Sequence, residues 1–199
     1  MENRYFSPCT AGLIIINAAV FLVMCIVGNP SDAEYMASHG AMWAGNIVEQ
    51  GQWWTLITPI FLHFDLEHIV SNMLLLFFIG KIMEDALGPV RFLILYLVAG
   101  VAGNVLSLLV EMTTLDYVVS AGASGAVFGV LGGVLFEVLY HKGMYAGMST
   151  RRLIFFILLS LYIGFSSSGI NNSAHIGGLV TGFVLAGILT LTIRRPKSA

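Results

Sequence analysis

Ser124 stands in the stretch Gly122-Ala123-Ser124-Gly125, at the head of an apolar run over 124–140. A serine hydroxyl is a weak nucleophile until a neighbouring base takes its proton. His175, in Asn172-Ser173-Ala174-His175, opens a second apolar run and is the residue type that can do this. No Asp or Glu is placed to orient the imidazole, so the two would act as a dyad, Ser124 as nucleophile and His175 as base. Acyl transfer also needs donors for a developing oxyanion. Backbone N–H groups at the start of the Ser124 helix can supply them, helped by the positive end of the helix dipole. His68 and Asn72 can add side-chain donors, since i and i+4 share a helix face. His63, five residues before His68, points elsewhere or lies in the entering loop. Phe128, four residues after Ser124, can pack against the His175 ring. A serine at a helix start also serves as an N-cap or small packing residue, so the reactive reading depends on whether Ser124 and His175 meet.

The elements that must bring them together are membrane helices. Hydrophobic residues make up 57% of the chain and charged residues 10%, far from the roughly 25% charged residues of an ordinary soluble domain. Six runs suit membrane spans, at 11–27, 67–86, 89–111, 124–140, 152–165 and 173–193, joined by short connections except for 28–66. The first run lacks a convincing small-residue cleavage site and reads as a retained helix. The whole chain, 1–199, reads as one all-α membrane domain without a soluble module or internal repeat. Cys9 and Cys25 imply no disulfide framework.

All nine Lys and Arg fall on one side of this arrangement: Arg4, Lys81, Arg91, Lys142, Arg151, Arg152, Arg194, Arg195 and Lys197. The positive-inside rule then puts both termini in the cytoplasm. Ser124 precedes Lys142 by 18 residues and His175 precedes Arg194 by 19, while His68 precedes Leu87 by 19. At about 1.5 Å per residue the three lie in one layer toward the outer face. Gly125, Gly129 and Gly132 form a stripe beside Ser124, and Gly178 and Gly182 follow His175 on its own face. Small residues let membrane helices approach closely, so glycine packing would also bring the serine and histidine helices together, although spacing alone does not show that these faces converge. The outer connection 28–66 carries Trp43, Trp53 and Trp54, which suit a membrane interface.

With these motifs in place, the chain resembles the rhomboid intramembrane serine proteases in their minimal six-helix bacterial form. The resemblance rests on His63-x4-His68-x3-Asn72, Gly122-Ala123-Ser124-Gly125 and Ala174-His175-Ile176-Gly177-Gly178-x3-Gly182, in that order. It implies Ser124 as nucleophile, His175 as base, and His68, Asn72 and the Ser124 N–H as the oxyanion hole. It implies a structural role for His63, and support from Phe128, Gly122, Gly125, Gly178 and Gly182. Glu84 resembles a family glutamate at the end of the second helix. The implied substrates are transmembrane segments of other membrane proteins, cut near the outer face of a bacterial plasma membrane, with local unwinding of the helix to free its carbonyls. The lipid bilayer is the medium, and no cofactor, metal or nucleic acid is expected.

The chain departs from the family pattern where relatives commonly read Glu-x-Trp-Arg. Here the stretch is Gln52-Trp53-Trp54-Thr55, so loop anchoring must come from other contacts. Phe128 also stands where some relatives have Tyr. Three other classes make different predictions. The alternative, a catalytically inactive rhomboid-like scaffold that binds membrane proteins, would keep the fold but usually loses Ser or His; both are present. A metal site built from His63, His68 and His175 lacks an HExxH arrangement and a carboxylate at the same depth. A small transporter would use polar groups at depth but commonly shows repeat symmetry, which is absent here.

Overall fold

The computed structural model describes residues 7–166 and 169–192. All six apolar runs are helical, with ends displaced by at most three residues: α1 Pro8–Val27, α4 Leu66–Leu87, α5 Pro89–Thr114, α6 Ser124–Tyr140, α7 Thr150–Ser166 and α8 Asn172–Thr192. Four of these, α1, α4, α5 and α8, are long and apolar enough to cross a membrane, and α6 is a shorter apolar helix. Arg4, Ser167, Ser168, Ile193, Arg194, Arg195 and Lys197 lie outside the described residues, so the charges flanking both ends of the chain do too.

Local chemistry sets several of these boundaries. Pro8 opens α1, where its missing N–H costs nothing. Asp65 caps α4, its carboxylate accepting from His68 N at 2.7 Å. Gly88, with φ +80°, ends α4 and lets Pro89 start α5 at once.

Helix α6 is the axis of the bundle. Every residue from Gly125 to Val134 is buried, because α4, α5 and α8 close around it. It runs parallel to α8, and their backbones touch through glycine. A Cβ at Gly178 would fall on the Gly125 carbonyl oxygen, and one at Gly182 on the Gly129 carbonyl. A Cβ at Gly132 would strike the Leu179 carbonyl. Large apolar side chains point outward instead, among them Ile26 on α1, Phe155, Leu158 and Tyr162 on α7, and Leu191 on α8. A belt of this kind is what lipid accepts and water does not.

Helix α1 is fastened to the far end of α4 by Glu84, which is buried. Its carboxylate accepts from Cys9 N at 3.0 Å and from both Thr10 N and Thr10 Oγ1 at 2.7 Å. The Cys9 and Thr10 N–H groups are free backbone donors of the first turn of α1.

The connection 28–65 is more ordered than an interfacial loop need be. It holds two short helices, α2 Ala33–Ser38 and α3 Ala44–Gln50, and 3-10 turns at Trp53–Leu56 and Thr58–Phe61. Its anchors are neutral. Thr55 is fully buried and closes its own turn onto Gln52 O at 2.7 Å. Asn104 Nδ2 donates to Leu56 O at 2.9 Å, and Thr58 Oγ1 donates to Gly40 O at 2.6 Å. These neutral hydrogen bonds tie the loop to itself and to α5. Trp53 and Trp54 stay exposed on its outer edge. One element is absent from the sequence reading: a two-residue hairpin, β1 Met144–Tyr145 with β2 Met148–Ser149, joins α6 to α7.

Candidate active site

The segment before α6 is fixed from several directions. Ser120 exchanges both backbone bonds with Met42, each at 2.8 Å. Gly122 N donates to Pro59 O at 2.9 Å. Gly122 has φ +140°, and a Cβ there would strike the His68 ring. Only glycine satisfies both demands. Ala123 N donates to His63 Nε2 at 3.4 Å, so His63 supports the turn that delivers Ser124. His63 is fully buried in the connection ahead of α4. Burial, and then the neighbouring His68, push its imidazole down to about 3, which keeps it neutral.

Ser124 begins α6 and His175 lies in the first turn of α8. Their side chains meet, with Ser124 Oγ 2.9 Å from His175 Nε2. His175 is 7% exposed. Phe128 lies flat on its ring, with centroids 4.2 Å apart and planes 4° from parallel. His175 Nδ1 is buried without a hydrogen-bond partner. When Nε2 accepts the serine proton, the ring's own proton must sit on Nδ1 and face no acceptor. Stacking on Phe128 fixes the plane of the ring, with no carboxylate bonded to Nδ1.

A cavity of about 330 Å³ opens over the pair, lined by His68, Asn72, Ser124, Phe128, Ile163 and His175 among others. Ser160 and Ile163 of α7 and Ser71 and Leu75 of α4 also line it. His68 stands beside Gly122, with its ring edge-on to His63 at 5.1 Å. Asn72 is buried, and its Nδ2 donates to His68 O at 3.0 Å within α4. The structure therefore brings together Ser124, His175, Phe128, His68 and Gly122. It sets His63 behind them and leaves Asn72 on the wall, one of its donors already used. Gly178 and Gly182 make the close approach possible. Gly125 is less demanding, since a Cβ there would sit 3.4 Å from Ala174 O. Among the described residues, no group of three His, Cys, Asp or Glu is arranged to hold a metal ion.

Sequence reasoning passed over Gly103, Ser107, Ser120 and Asn171. Gly103 lets α5 reach the backbone of α8, since a Cβ there would meet Ala174 O at 2.6 Å. Asn171 caps α8, its Oδ1 accepting from Ala174 N at 3.0 Å. An Asn before an apolar run is a legible helix-start signal, and that signal was available.

The family model of the rhomboid domain matches residues 50–192. The chain is 37% identical over 178 residues to Rhomboid protease GluP of Bacillus subtilis (strain 168), covering 89% of this chain and 34% of that protein. It is 38% identical over 139 residues to YdcA of the same organism, also named for the rhomboid proteases, covering 70% and 68%. RHOMBOID-like protein 4 of Arabidopsis thaliana is 35% identical over 153 residues, with 76% and 38% covered. The chain thus spans about a third of the length of GluP and about two thirds of YdcA. With the matched domain reaching from the outer loop through α8, the chain belongs to the rhomboid family.

Proposed function

We propose that this chain is an intramembrane serine endopeptidase that cleaves transmembrane segments of membrane proteins near the outer face of the membrane. The observation that carries the reading is the 2.9 Å contact between Ser124 Oγ and His175 Nε2 at the buried ends of two apolar helices. Attack by Oγ on a substrate carbonyl forms the C–O bond and sends the π electron pair onto oxygen. The hydroxyl proton passes to His175 Nε2. His68, Asn72 and the Ser124 N–H at the start of α6 are the donors for that oxyanion. The imidazolium then gives its proton to the leaving nitrogen as the C–N bond breaks. Water, deprotonated by His175, releases the acyl group from Ser124.

Phe128 contributes most at the charged stage. A cation against a ring face within about 6 Å gains roughly 0.5–2 kcal/mol, and His175 carries charge only after it takes the proton. The cavity between α4 and α7 is the route for a substrate helix to enter from the side. A disulfide joining α4 to α7 should slow cleavage of membrane substrates, and unchanged rates would count against lateral entry. Both termini lie in the cytoplasm on this reading, by the distribution of Lys and Arg.

The decisive experiment is labelling of the purified protein in detergent with a fluorophosphonate probe, comparing wild type, Ser124→Ala and His175→Ala. Labelling of wild type alone is expected. Labelling that survives Ser124→Ala would overturn the assignment of the nucleophile.

A further inference from the structure

The bond between Ser124 and His175 has a counterpart one turn outward. Asn171 lies four residues before His175, and Ser120 lies four residues before Ser124. Asn171 Nδ2 donates to Ser120 Oγ at 2.8 Å. The two contacts join residues 51 apart in both cases, as parallel rungs between the same two chain segments. The outer rung contains no group that reacts.

Its carboxamide is used on every side. Oδ1 accepts from Ala174 N and caps α8. Nδ2 donates to Ser120 Oγ and also to Ser107 Oγ on α5. Ser107 in turn donates to Glu111 Oε1 at 3.0 Å, which leaves its lone pairs for Asn171. Ser107 and Glu111 are both buried, so the α5 end of this chain of bonds is fixed. Ser120 is fixed by its backbone pairing with Met42. Asn171 therefore locks the first turn of α8, rotationally and in depth, against α5 and against the segment that leads into Ser124.

We propose that Asn171 is a positioning residue for the reaction: through its rung to Ser120 it sets the distance between Ser124 and His175. This rests on the proteolytic reading above. Asn171 touches neither reacting atom, and its effect passes through the placement of His175. Ala or Leu at this position would remove the cap as well, and would confuse positioning with helix stability. Serine separates the two. Asn171→Ser keeps a neutral N-cap but is too short to reach Ser107 and Ser120 together. Ser120→Ala removes the rung from the other side and leaves the cap intact.

The test is the labelling rate with a fluorophosphonate, together with kcat and KM for a transmembrane substrate, on wild type, each single variant and the pair. Asn171→Ser is expected to slow labelling and kcat by about tenfold or more, the range for sub-ångström to 1 Å misplacement. KM should stay within about twofold and the unfolding midpoint within a few degrees. Because both changes break one rung, the double variant should be no slower than the slower single variant. Asn171→Ser at the wild-type rate would overturn the proposal, and so would losses that multiply in the double variant. Losses matched by an equal fall in unfolding midpoint would also overturn it. A wild type that does not label at all would sink the proteolytic reading itself, which is a different result.

Discussion

Replacing Gly178 with alanine should disable the site while leaving the protein folded. The new Cβ would fall on the Gly125 carbonyl oxygen. Non-bonded heavy atoms settle near 3.5 Å, so α8 must retreat from α6 by more than about 1 Å. His175 lies three residues earlier on the same face and moves with it. The 2.9 Å contact with Ser124 then opens to about 4 Å, beyond any hydrogen bond. A misplacement of this size costs on the order of 100-fold in rate, or about 2.7 kcal/mol of barrier. Folding suffers less, because overpacking costs about 1–3 kcal/mol and the gain in helix propensity returns about 1 kcal/mol. The assay is the second-order rate constant for fluorophosphonate labelling in detergent, read beside the thermal unfolding midpoint. Gly125→Ala is the internal comparison. Its Cβ meets Ala174 O at 3.4 Å, an ordinary contact, and labelling should stay within about threefold of wild type. A Gly178→Ala protein that labels at the wild-type rate, or two variants equally impaired, would refute the backbone-contact argument.

Phe128→Leu should lower kcat about tenfold with little change in KM, since the ring acts mainly on protonated His175; Phe128→Tyr should be close to wild type in the same assay. Glu84→Ala should destabilise the fold by about 3 kcal/mol, because three donors at the start of α1 lose a charged acceptor. Labelling per folded molecule should not change, as Glu84 is about 24 Å along α4 from His68. His63 should make stability pH-dependent. The unfolded chain takes up its proton near pH 6.5 and the folded imidazole only near 3, so this contribution is complete above about 6.5 and falls as pH drops. The slope is at most about 1.4 kcal/mol per pH unit. Unfolding midpoints measured from pH 7 to pH 5 should fall less steeply in His63→Gln than in wild type.

Much of this molecule can be read from residue periodicity and spacing. The apolar runs are long, and the chain breaks between them are marked by Gly88-Pro89 and by polar clusters. Equal depth and two glycine stripes were compatible with a meeting of Ser124 and His175, because helix rise is uniform and glycine permits close approach, but spacing does not fix which faces converge. Depth alone did not tell which glycine bears on which backbone atom. Gly125 and Gly178 look equivalent as letters, and only the crossing of α6 and α8 shows that Gly178 is the crowded one. The outer loop was harder for a different reason. The neutral pair Gln52 and Thr55 signalled the loss of an ion pair but not its replacement, since Asn104 with Leu56 and Ser120 with Met42 are contacts between segments far apart in the chain. Asn171 is legible as a cap, but its two N–H bonds act across 51 and 64 residues, which no local pattern shows.

The parallel seam between α6 and α8 has a consequence in time. Ser124 and His175 are made 51 residues apart, which at roughly 5–20 residues per second is a delay of about 3–10 s. During that interval α6 exists without α8, and Gly125, Gly129 and Gly132 lack the α8 carbonyls they later meet. Met42, Pro59 and His63, all made earlier, already hold the approach to Ser124, but the histidine comes only with the later helix. On the proteolytic reading, a newly made copy is therefore silent toward its neighbours until His175 arrives. On that reading it gains the ability to react only once α8 has packed against α6.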